Sequence, residues 1–171
     1  PYLFFVGVGD FAEVEDSWNA MPLTYMVEHK YKEHAKEIFD HTLEMLSFFS
    51  EKLEYPYPWD NYSQVIMRDS VSGAMENTSA VIFGEFVQKK GRELIDNDND
   101  YIVAHEMMHH WFGDLVTCES WANLTLNEGF ANYSEYLWAE HHDGAETADF
   151  HRVNELRGYL GSARQQGTHP L

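Results

Sequence analysis

His105-Glu106-Met107-Met108-His109 sets two imidazoles four residues apart with a carboxylate between them. On a helix, residues four apart share a face, one turn above the other. Two ring nitrogens so placed can hold one metal ion, and Glu106 beside them can act on a water at that ion. A catalytic zinc takes three protein ligands and keeps a fourth position open. The third ligand must come from elsewhere. Glu128, nineteen residues past His109, is the natural candidate. The chemistry implied is hydrolysis: zinc acidifies water and polarises a carbonyl, while Glu106 serves as general base. One zinc ion per chain is expected. A solvated helix face rich in His and Glu is the bland alternative, and it makes no demand for the later glutamate.

A second stretch, Gly73-Ala74-Met75-Glu76-Asn77, lies upstream between two apolar runs, residues 62–67 and 80–83, that read as strands. Placed along an edge strand, it would offer free N–H and C=O groups to an extended peptide. Gly73 would allow a close approach or an unusual φ. The Glu76 carboxylate could then hold a terminal ammonium, which is mostly charged at neutral pH because its pKa is about 7.7–8.0. Cleavage would fall one residue in from that end.

G-A-M-E-N, then H-E-x-x-H, then Asn127-Glu128-Gly129-Phe130-Ala131, resembles the M1 family of zinc aminopeptidases. The run His110-Trp111-Phe112-Gly113-Asp114-Leu115-Val116-Thr117 looks like that family too. The resemblance covers essentially the whole chain. It implies zinc on His105, His109 and Glu128, Glu106 as general base, and Gly73, Ala74, Met75, Glu76 and Asn77 on the backbone and amine of a peptide with a free N-terminus. It implies an α+β fold similar to thermolysin, a small mixed sheet packed on helices with an edge strand over the site. Residues 1–20 would close an amino-terminal β domain that is mostly absent, and residues 21–171 would form a catalytic domain cut short at its end. The family's oxyanion-stabilising tyrosine would fall past Leu171. With it and the flanking domains missing, the chain alone should bind zinc but turn over weakly or not at all. Two departures matter. Thr78 and Ser79 follow the upstream motif where relatives often carry Trp-Gly or Pro, and Ser72 precedes it at a pocket-lining place, so the side-chain preference does not transfer. Other readings on the same metal site are a zinc endopeptidase or an epoxide-hydrolase-type relative. A peptide-binding module with a degenerate site is disfavoured by the intact His105, Glu106, His109 and Glu128.

Several elements must position these residues. Residues 2–8 read as a strand and 17–32 as irregular to extended. From Glu33, Ala35, Ile38, Phe39, Thr42, Met45, Leu46, Phe49 and Leu53 recur at three- and four-residue steps, predicting one amphipathic helix that stops before Pro56 and Pro58. Residues 89–100 read as a polar loop whose Asp/Asn run caps the next helix; it lacks the Gly and terminal Glu of a calcium loop. A helix over about 101–112 carries the histidines, apolar on several sides and ended by Gly113. His110, where many relatives have Gln, points away from the pair and reads as a support behind the ligands or a structural residue, not a ligand. A helix from about residue 122 or 127 to 141 carries Glu128, with Leu126, Phe130, Tyr133, Leu137 and Trp138 as its expected buried stripe. Tyr133 and Glu135 are both candidates to support the metal ligands. A last helix spans about 145–160.

The chain of 171 residues is long enough to bury a core and reads as about one domain. Its net charge of −18 argues against nucleic acid and anionic membrane surfaces and mildly favours cationic partners such as free peptide amines. Cys118 is the lone cysteine, so no internal disulfide forms. No apolar run approaches the ~18 residues that would span a bilayer. There is no signal-peptide pattern or initiator Met, so the sequence reads as an excised piece.

Overall fold

The computed structural model describes residues 3–96 and 98–168. Five strands form one mixed sheet: β1 (Ala12–Trp18), β2 (Met21–Val27), β3 (Tyr62–Met67), β4 (Ala74–Met75) and β5 (Ala80–Gly84). Their order across the sheet is β1-β2-β3-β5-β4. The β1–β2 and β4–β5 pairs are antiparallel, while β2–β3 and β3–β5 are parallel. The helices are α1 (Ala35–Ile38), α2 (Thr42–Lys52), α3 (Arg92–Asp96), α4 (Asp100–Met108), α5 (Thr125–His142) and α6 (Ala145–Gln166). This is the α+β class expected, a small mixed sheet packed on helices. Among the described residues no helix is long and apolar enough to cross a membrane.

One apolar cluster joins sheet to helices. Leu23, Tyr25, Val27, Tyr62, Val81 and Phe83 from the strands pack with Ile38, Phe39, Met45, Leu46, Phe49, Val103 and Met107. Phe39 stacks on Tyr25 at 5.6 Å and tilts onto Phe83 at 5.4 Å. Burying such side chains contributes roughly 1.5–3 kcal/mol each, which is what seats α2 and α4 against the sheet. Helix α4 then packs along α5. Ser134 of α5 donates its hydroxyl to the Ala104 carbonyl of α4 at 3.0 Å. The contact places a small side chain where the two helices approach. At the start of α4, Asp100 Oδ2 accepts from Trp138 Nε1 at 2.7 Å and faces His41 Nδ1 at 2.8 Å. That knot anchors α4 to α5 and to the turn before α2.

Several expectations are corrected. The strand expected at 2–8 does not form over residues 3–8, and residue 2 lies outside the described residues. The first strand begins at Ala12. Residues 17–32, expected to be irregular to extended, instead hold the end of β1, all of β2 and a 3-10 turn. The hairpin turns at Asn19 and Ala20, both with positive φ (47° and 68°), the geometry of a two-residue primed turn. The sign of β2 was present as period-two burial of Leu23, Tyr25 and Val27.

The single helix expected from Glu33 is broken at Phe39–His41. Asn99 donates its Nδ2 to the Ile38 carbonyl at 3.0 Å. That carbonyl would otherwise accept from Thr42, whose N–H instead reaches Phe39 O at 3.2 Å. The apolar stripe survives the break because Thr42, Met45, Leu46 and Phe49 restart it in phase.

Asn99 is therefore a brace, not a side-chain cap for α4: its Nδ2 also donates to Val87 O at 2.8 Å. Asp98 accepts the Asp100 N–H at 3.1 Å instead. The polar stretch before α4 also contains α3. On α5 the buried residues are Asn127, Ala131, Ser134, Trp138 and Ala139. Phe130 and Tyr133 are exposed. Small residues face α4 because the helices lie close, and Phe130 stacks instead on Phe112 at 4.1 Å. The last helix runs on to Gln166.

Candidate metal centre and substrate cleft

His105 and His109 project from the last turn of α4 and the residue that caps it. Glu128 sits in the first turn of α5, where a helix N-terminus favours a carboxylate. The three converge. Glu128 Oε2 is 3.4 Å from His105 Nε2 and 3.6 Å from His109 Nε2. Their candidate ligand atoms all lie within 4.8 Å of one another. Each ring is turned by its other nitrogen. His105 Nδ1 faces Glu135 Oε1 at 2.8 Å, and His109 Nδ1 donates to Phe112 O at 3.1 Å. With both Nδ1 atoms held as donors, Nε2 of each ring is the nitrogen turned toward Glu128, the one left for a metal to take.

Glu135 is seven residues after Glu128, two turns along the same face of α5. Of the two candidates for a supporting role, the structure selects it. Tyr133 is turned to solvent and stacks on Tyr136 at 5.7 Å.

The pairing shows in the acid–base properties. Burial pulls the His105 imidazole down, but Glu128, Glu135 and Glu106 outweigh it and lift it to about 10. Burial likewise opposes protonation of His109, and Glu128 with Glu76 and Glu106 reverses the sign. Hydrogen bonds from His105 and His109 hold the Glu128 carboxyl well below the usual range. Glu106 behaves differently. It is 6% exposed, and burial lifts its carboxyl to about 7 against the pull of His105 and His109, with Glu76 and Glu128 adding to the rise. Its Oε2 is buried without a hydrogen-bond partner in the structure. A carboxyl poised near neutrality is suited to proton transfer.

Across from these groups lies a cleft of about 530 Å³. Gly73, Ala74, Met75 and Glu76 line one side, and His105, Glu106, His109, Glu128 and Glu135 the other. The first side includes β4, which is an edge strand as expected. Its pairing with β5 is extended by Gly84 N–H donating to Gly73 O at 2.9 Å. Gly73 needs no special backbone: its φ is not left-handed, and an added Cβ would meet Ile102 and Phe86 only at 3.6 and 3.8 Å. Glu76 is buried and approaches both Glu106 and His109 closely enough for one ligand atom of each to fall within 4.8 Å. Asn77 does not line the cleft; its Nδ2 donates to Leu3 O at 3.1 Å.

His110 is fully buried and turned away from the pair. Its Nε2 accepts the Ser79 N–H at 3.1 Å and its Nδ1 donates to Glu106 O at 3.2 Å. It is structural, as its position predicts.

The family model for the peptidase family M1 domain matches residues 37–171. Aminopeptidase N of Oryctolagus cuniculus is 35% identical over 147 residues, covering 81% of this chain and 15% of that protein. Aminopeptidase N of Streptomyces lividans is 38% identical over 125 residues, 71% of this chain and 15% of that protein. Aminopeptidase Ey of Gallus gallus is 38% identical over 135 residues, 74% of this chain and 14% of that protein. The chain thus spans only 14–15% of the length of these relatives. With the motif residues other than Asn77 gathered around one cleft and the family model matching most of its length, this chain belongs to peptidase family M1.

Proposed function

We propose that this chain carries the catalytic centre of a zinc aminopeptidase, one that removes the first residue of a peptide with a free amino terminus. The observation that carries the reading is the convergence of His105 Nε2, His109 Nε2 and Glu128 Oε2 beside the unpartnered Glu106 Oε2. Two neutral imidazoles and a carboxylate suit zinc and leave a position open for water or substrate. When bound, zinc would acidify water and polarise the scissile carbonyl.

This chain's own residues do the rest. A peptide laid along the free edge of β4 would take backbone hydrogen bonds from Gly73, Ala74 and Met75. Glu76 would hold the ammonium and so set the register. Asn77 would support that segment from behind, through its bond to Leu3. Glu106 would take a proton from the attacking water and return it to the leaving amine. Its carboxyl near neutrality allows both transfers. Glu135 and the Phe112 carbonyl would keep both imidazoles aimed. In this reading residues 21–171 are catalytic-domain sequence. Residues 1–20 close a preceding β domain whose last strand, β1, is added to the catalytic sheet.

The test uses zinc content and an N-terminal block. Elemental analysis should find about one zinc per chain, and Glu128→Ala should lose it. A native chain without zinc would sink the reading. Zinc-dependent cleavage of an aminoacyl amide should disappear when the amine is acetylated. Cleavage of the acetylated compound would instead make this an endopeptidase.

A further inference from the structure

The Glu135 carboxylate has a second oxygen, and it does not face solvent alone. Its Oε1 meets His105 Nδ1 at 2.8 Å, while its Oε2 lies 3.3 Å from Nε2 of His151. His151 comes from α6, outside every motif in the sequence. Its side chain is 12% exposed, and its ring stacks on Tyr101 at 4.5 Å with 16° between the planes. Tyr101 lies one turn before His105 on α4. The imidazole is thus set against α4 on its flat side and against Glu135 at its edge. Its Nε2 is sealed from water and meets no acceptor in good hydrogen-bond geometry, although Glu135 Oε2 is within reach.

We propose that His151 is a positioning residue for the metal centre, acting through Glu135 on His105. The inference rests on the zinc reading above. A carboxylate that orients a metal-bound histidine must itself be held, or it swings about its side-chain torsions and the ring loses its aim. Glu135 has one oxygen committed to His105. The other lies 3.3 Å from His151 Nε2, and a small turn of either side chain makes that nitrogen its donor. Three helices therefore each supply one link: His105 from α4, Glu135 from α5, His151 from α6. The last link makes metal affinity depend on a helix that touches no ligand directly.

Two substitutions separate positioning from packing. His151→Phe keeps a ring on Tyr101 and removes the donor; His151→Gln gives up the ring and keeps an amide N–H. Zinc affinity of the full chain would be measured by competition with a chromophoric chelator. The proposal expects about a 10–100-fold loss for His151→Phe, the usual cost of removing an outer partner. It expects His151→Gln to stay within roughly threefold of native. It also expects His151→Phe to add nothing further in a Glu135→Gln background, because the link it breaks is already gone. The reverse ranking, with Phe tolerated and Gln not, overturns the proposal and assigns His151 to packing. So does an undiminished loss in the Glu135→Gln background. A native chain that takes up no zinc overturns the metal reading itself and this proposal with it. Native uptake with no effect of either variant overturns the proposal alone.

Discussion

The backbone N–H of Ser79 donates to Nε2 of His110 at 3.1 Å, tying the turn after the edge strand to the residue that follows His109. On its other side His110 Nδ1–H donates to the Glu106 carbonyl at 3.2 Å. Both ring nitrogens are satisfied only in the neutral form. A second proton would set an Nε2–H against the Ser79 N–H. The cleft's two walls are thus joined by one buried neutral imidazole.

A pH dependence of stability follows. Burial pushes His110 down to about 3 from an ordinary 6.5. The folded pKa is depressed, so the unfolded chain takes up the proton first. The contribution is fully present above pH 6.5 and is lost as pH falls towards 3, at up to ~1.4 kcal/mol per unit. Denaturant unfolding at pH 7 and pH 5 would show it. His110→Gln should lose less stability across that interval than the native chain. An identical loss in both would refute the assignment.

Glu106→Gln should abolish hydrolysis while leaving zinc in place. Removing a general base costs on the order of 10²–10⁴ in rate, whereas the proposed ligands His105, His109 and Glu128 are untouched. Paired measurements of kcat and zinc content test this. Loss of zinc together with activity would show that Glu106 acts in holding the site.

Glu76→Gln should weaken substrates with a free amine by at least about 30-fold in kcat/KM, the scale for losing a buried charged partner. It has a second signature. Glu76 helps to raise the Glu106 carboxyl. Neutralising it therefore favours the ionised base, and the acidic limb of the rate profile should move to lower pH. A shift to higher pH, or none, would contradict the close approach of the two carboxylates.

Gly113 has φ +145°, and a Cβ there would sit 3.1 Å from His109 O and 3.2 Å from His109 Nδ1. Gly113→Ala should destabilise the chain by about 1–3 kcal/mol and lower zinc affinity by displacing His109. Gly91→Ala is the control. Its φ is also positive, at +55°, but nothing lies within 4 Å. Calorimetry with zinc titration should find strain in both and a metal defect only at Gly113.

The convergence of His105, Glu106 and His109 was legible in the sequence because helix geometry turns spacing into direction. His105 and His109 share a face wherever their stretch is helical, and Glu106 follows from adjacency. The strands β3 and β5 were readable from apolar runs, whereas an edge strand at Ala74–Met75 was implied by the family resemblance rather than by any pattern of the run itself. The tertiary structure alone decided what depends on side chains meeting across long stretches of chain. Asn99 breaks the first long helix by taking the Ile38 carbonyl, 61 residues away. The choice of Glu135 over Tyr133 rests on how α5 is rotated against α4, which small residues such as Ser134 set. His151 has no spacing signal at all. It reaches Glu135 because α6 folds back along α5, and no local periodicity encodes that return.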